Sequence, residues 1–154
     1  MPLELIPALV VATFFAFAAF EAVRPGRRFP AVARWRSKGV LFLLLTLALT
    51  GLLPPLWEAW LGNYRLIDAT GLGTWAGALF GFVVLELGVY LWHRSLHNSN
   101  LLWRGLHQMH HSAERVDIWG SLYFHPLDLL AFAFVYSFAL IVVAGVTPEA
   151  ALIA

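Results

Sequence analysis

The chain of 154 residues contains no cysteine, and only 12% of it is charged, against 60% hydrophobic. The missing thiols exclude a disulfide framework, a thiolate metal site and a nucleophilic cysteine, and they leave the redox compartment unmarked. A strong charge of either sign is missing too. At a net +1 the chain lacks the electrostatic footprint of a nucleic-acid-binding protein.

What is present in quantity is apolar surface. A mean hydropathy of +0.75 and seven tryptophans describe an integral membrane protein rather than a soluble domain. Four apolar stretches, near residues 5–23, 40–60, 69–92 and 127–146, approach the roughly 20 residues needed to cross a bilayer. Pro54 and Pro55 are expected to bend or end the second, or to fold it into a shallow hairpin. The N-terminus carries Glu4 and no Lys or Arg before the first stretch, so it lacks the positive region of a cleaved signal peptide. The fold class expected is all-α, a polytopic membrane bundle of about four transmembrane helices forming a single membrane domain over residues 1–154.

Cations set the expected orientation. Arg24, Arg27, Arg28, Arg34, Arg36 and Lys38 lie between the first two stretches, whereas the next connection holds only Arg65 and Asp68. The positive-inside rule makes the first connection cytoplasmic and the N-terminus external. Three crossings then bring the end of the third span to the cytoplasmic side. The basic connection reads as a topology signal in contact with lipid headgroups.

Five of the six histidines crowd into residues 93–111, as His93-Arg-Ser-Leu-His97 and His107-Gln-Met-His110-His111. A helix turns about 100° per residue, so positions i, i+3 and i+4 share a face. Imidazole is a common ligand of first-row transition metals, and two such faces together make a candidate metal site. Asn98, Ser99 and Asn100 are expected to break the third helix, with Asn100 capping a short interfacial helix from Leu101 through His111. Glu86, Tyr90, His93 and His97 form one polar stripe along the third span. Glu86 is about 10 Å along the axis from His93, too far to share an ion, and supports the site or hydrogen-bonds a neighbouring helix. His125, ahead of Pro126, reads first as a structural hydrogen bond at a helix start and second as a ligand. Asp128 in that first turn complements the helix dipole. Arg94, Arg104 and Arg115 read as interfacial anchors. A haem-binding subunit and a metal transporter are the alternative classes for the same histidines.

The pairing HRSLH and HQMHHS, followed by Glu114, Asp117 and Phe124-His125-Pro126-Leu127, resembles the fatty acid hydroxylase and sterol desaturase superfamily of membrane oxygenases, over about residues 86–149. The resemblance implies a cytoplasm-facing non-haem diiron site that uses O2 and an electron donor to hydroxylate or desaturate a lipid or sterol, in the plasma (inner) membrane or the endoplasmic reticulum. Its ligands would be His93, His97, His107, His110 and His111, with Glu86, Glu114, Asp117 and His125 as candidate supporting residues in a metal-motif region of about 86–128. Family members commonly carry Asp where this chain has Glu86. They also carry a third histidine group further downstream, which this sequence lacks. Thr147, Pro148 and Glu149 open another helix, and the chain is expected to be the N-terminal part of a larger hydroxylase domain. Its own histidines suffice for one ion, iron or another divalent metal, but not for two. Alone it is expected to bind metal weakly and to turn over no substrate.

Overall fold

The computed structural model describes residues 5–154, which fold into helices and turns with no strand among them. Residues 1–4, on which the external N-terminus and the signal-peptide argument bear, lie outside the described residues. Helix α1 spans Ile6–Val23, α2 Trp35–Leu52, α3 Pro55–Leu61 and α4 Gly73–Asn98. After α4 come two short pieces, α5 (Asn100–Leu102) and α6 (Gln108–His111), joined by a π-helical turn over Trp103–His107. Helix α7 (Pro126–Ser137) continues as a π-helical segment, Phe138–Val143, and α8 covers Pro148–Ile153.

Three helical stretches, Trp35–Leu61, Thr70–Asn98 and Pro126–Val143, are long and apolar enough to cross a membrane, and Ala8–Val23 is a shorter apolar helix. Their outer faces carry large exposed apolar side chains, among them Phe17, Leu41, Leu44, Leu79 and Val83, as lipid-facing helices do. The protein is an integral membrane helical bundle. Pro54 and Pro55 break α2 from α3 without reversing the chain: Leu53 and Pro54 keep right-handed helical angles, and the Glu58 amide bonds back to the Pro54 carbonyl. The second span is therefore kinked, not folded into a hairpin.

Small residues let the bundle close. Along α4, a Cβ on Gly77 would meet Ala150 of α8 at 3.2 Å, and one on Gly81 would meet Leu140 at 3.1 Å. Close backbone approach of this kind drives helix association where lipid supplies no hydrophobic contrast. Ala69, Ala78, Leu140, Ala144, Val146 and Ala150 form the buried cluster there. As expected, Thr147 caps α8, its Oγ1 accepting from the Ala150 amide at 3.2 Å, with Pro148 following.

At the opposite end the segment between α6 and α7 lies over the start of α2. Asp117 accepts from the Trp35 indole at 2.8 Å and from Arg115, while Arg115 also donates to the Pro30 carbonyl at 2.9 Å. The Glu21 carboxylate accepts from the Ile118 amide. These bonds hold the segment that follows the histidines against the basic connection.

Candidate metal centre

The last turns of α4 carry the first histidine pair. One helical turn apart, His93 and His97 have stacked rings and Nε2 atoms 3.0 Å from each other. Ser99 then turns extended (φ −118, ψ 117), and its hydroxyl, not the Asn100 side chain, caps the next helix by accepting from the Leu102 amide. The cap falls where the chain leaves helical angles, and that residue is Ser99.

The expected helix through His111 is present but widened. Five residues, Trp103–His107, wind as a π turn, a local insertion that recurs at functional sites. It folds back over the end of α4, so that His107 Nε2 lies 3.2 Å from His93 Nε2 and 3.1 Å from His111 Nε2. One ligand atom from each of His93, His97, His107 and His111 lies within 4.8 Å of the others.

Four imidazole nitrogens converge here as a group that could hold a metal ion. Two ligands about 2.0–2.1 Å from a metal, at right or tetrahedral angles, are themselves about 2.9–3.4 Å apart. The shortest separations here, 3.0–3.2 Å, fall in that interval. Burial, followed by the His107, His97 and His93 imidazoles, lowers the pKa of His111 from its ordinary value. Burial, followed by His107 and His111, does the same for His110. Both rings thus offer lone pairs rather than positive charge.

A carboxylate fixes the most buried member. His107 and Asp128 are both fully buried, with His107 Nδ1 2.7 Å from Asp128 Oδ2. A carboxylate only accepts, so Nδ1 carries the proton and Nε2 turns its lone pair to the cluster. This bond to His107 is a role for Asp128 beyond the helix-dipole one that its position in the sequence suggests. The available signal was an acid between Leu127 and Leu129 at the head of an apolar run, where a carboxylate needs a partner. Trp103 is a further residue that the sequence pattern does not single out: its ring centroid is 5.0 Å from that of His97 and 5.1 Å from that of His111, a half-buried cover over the cluster.

The remaining predicted residues lie elsewhere. His110 is not one of the four: its ring, 5.3 Å from that of His111, stacks on Phe124 at 3.9 Å, and its Nδ1 is buried without a hydrogen-bond partner. His125 caps α7, its Nδ1 accepting from the Leu127 amide at 3.2 Å. Asp117 is buried among Trp35, Arg115 and the Gly120 amide rather than among histidines. Glu114 and Glu86 are exposed, and among the described residues neither meets a histidine.

A membrane helical bundle with imidazoles converging at one end is, as a class, a membrane protein with a candidate metal site. Comparison with known proteins makes it particular: residues 78–154 match the fatty acid hydroxylase family, and the chain belongs to it. Over 60 residues it is 38% identical to alkylglycerol monooxygenase of Xenopus tropicalis, covering 39% of this chain and 13% of that protein. Over 74 residues it is 31% identical to sphingolipid C4-hydroxylase sur2 of Schizosaccharomyces pombe, covering 48% of this chain and 25% of that one. The matched segments thus span a quarter or less of these relatives. No solved structure matches the chain.

Proposed function

We propose that the chain forms the metal-binding part of a membrane oxygenase that hydroxylates or desaturates a lipid chain or sterol with O2. The observation that carries this reading is the convergence of four Nε2-bearing rings, one of them backed by a buried carboxylate, in a member of a hydroxylase family. The names of the two relatives, a monooxygenase and a hydroxylase of lipids, support the same chemistry.

His93, His97, His107 and His111 hold the ion, non-haem iron by family. When bound, such an ion supplies reductive activation of O2 toward an unactivated C–H bond, with electrons from a donor. Asp128 holds the proton on His107 Nδ1 and keeps that ring in one tautomer. Trp103 on one side and Phe132, 6.3 Å from His93 between ring centroids, on the other, limit water around the imidazoles. His110, with a buried nitrogen left over, is the donor toward a second ion. The haem alternative gains nothing from this geometry, because haem takes one or two axial imidazoles and four converge here. By the distribution of cations, the site faces the cytoplasm.

Lipids from native membranes test the reading. Cells given 18O2 should contain an 18O-hydroxylated lipid or sterol, or its desaturated counterpart, that disappears when His107→Ala and His111→Ala are introduced together. An unchanged lipid profile in that double variant would overturn it.

A further inference from the structure

A second pocket, of about 540 Å³, opens on the same end of the bundle as the histidines but is separate from them. Its walls are the last turn of α1, the basic connection, the first turn of α2 and the segment carrying Arg115. It sits where the apolar helix α1 ends and the candidate span that includes α2 begins.

Three cations, Arg34, Arg36 and Arg115, and two carboxylates, Glu21 and Asp117, line this pocket, an excess of one positive charge. Both carboxylates are engaged: Glu21 accepts from the Ile118 amide, and Asp117 from Trp35, Arg115 and the Gly120 amide. Arg115 is spent on Asp117 and the Pro30 carbonyl. Arg34 and Arg36 also line the pocket, and among the described residues neither guanidinium meets a carboxylate. Arg24, Arg28 and Lys38 nearby in sequence are likewise without an acidic partner among the described residues. No side chain caps the first turn of α2, and no acid lies in it. Arg34 and Arg36 are thus the two pocket-lining cations with no carboxylate partner among the described residues, and they are the groups an outside anion would meet.

We propose that this pocket binds the phosphate of an anionic membrane phospholipid, with Arg34 and Arg36 as the principal contacts and Ser37 as a further donor. Its acyl chains would lie along the exposed apolar faces of α1 and α2, where Phe20 and Leu41 are more than half exposed. A basic recess between spans is the arrangement that selects anionic headgroups, and guanidinium groups grip phosphate with paired donors. The proposal is independent of the metal reading.

The full chain in neutral detergent tests it, with phosphatidylglycerol, phosphatidylcholine and inorganic phosphate as the probes. Phosphatidylglycerol should raise the thermal midpoint saturably and remain bound in native mass spectra, whereas phosphatidylcholine and millimolar phosphate should not. Arg34→Gly with Arg36→Gln should weaken phosphatidylglycerol retention roughly 10- to 30-fold. Arg34 has a left-handed backbone (φ 56), which glycine adopts freely, so this variant stays folded while losing the charge. Equal retention by variant and wild type, equal shifts with both lipids, or reproduction of the shift by inorganic phosphate would each overturn the proposal.

Discussion

Asp128 on α7 and His107 on the π turn are fully buried and bonded at 2.7 Å, although 21 residues separate them. The pair joins the site to the head of the last span, and each partner justifies the burial of the other. The second carboxylate oxygen, Oδ1, is buried without a partner, so the pair is held by one strong hydrogen bond. Asp128→Asn keeps the shape but offers Nδ1–H a weaker acceptor and lets the amide flip. Metal affinity should fall roughly 10- to 100-fold, as measured by competition with a chromophoric chelator. Asp128→Ala should in addition cost about 1–3 kcal/mol of stability, because it leaves a buried donor unpaired.

Histidine substitutions should fall into two groups. His93→Ala, His97→Ala, His107→Ala and His111→Ala each remove one of the converging ligands and should abolish retention of cobalt(II) through desalting. His125→Ala should retain the ion and lose about 1 kcal/mol, the worth of a helix cap. His110→Ala should keep the first ion, since its ring lies on Phe124 outside the group of four. Loss of cobalt in His110→Ala with retention in His111→Ala would contradict the assignment.

Gly145 closes the far end of the bundle. Its φ of +57 is left-handed, and a Cβ there would fall onto the Ile67 carbonyl oxygen. Gly145→Ala should therefore cost more than about 2 kcal/mol, read as a lowered thermal midpoint. Gly51→Ala, in open space on α2, should stabilise the helix by as much as about 1 kcal/mol, read as a raised midpoint.

The latch over α2 makes a separate prediction. With Asp117 gone, Arg115 loses its carboxylate and the Trp35 indole its acceptor. Asp117→Ala should cost about 2 kcal/mol and expose Arg115 to trypsin, whereas the wild type, with Arg115 held by Asp117 and the Pro30 carbonyl, should resist cleavage there. Limited proteolysis followed by mass spectrometry reads the new cleavage directly.

Hydropathy and helical spacing are local properties, and what depends on them was legible. The apolar spans, the i, i+4 pairs at His93/His97 and His107/His111, the break at Ser99 and the Thr147 cap could all be read from neighbouring residues. Relations across the bundle could not. Asp117 meets Trp35 across 82 residues of chain, so its place in a latch rather than beside the histidines depends on how α2 lies under that segment. The π turn at Trp103–His107 has no periodic signature of its own. It shifts the second histidine group so that His107 and His111 face α4 and His110 faces Phe124. Asn100 and Ser99 are both capable caps, and backbone direction alone chose between them.

The central claim is that His93, His97, His107 and His111 hold one ion together. The most direct measurement is iron K-edge X-ray absorption on the full chain loaded anaerobically with one equivalent of Fe(II). The account predicts nitrogen-rich coordination with the outer-shell scattering of about four imidazoles, in keeping with the four converging rings. Oxygen-only coordination, a single imidazole, or the scattering of a porphyrin would contradict it.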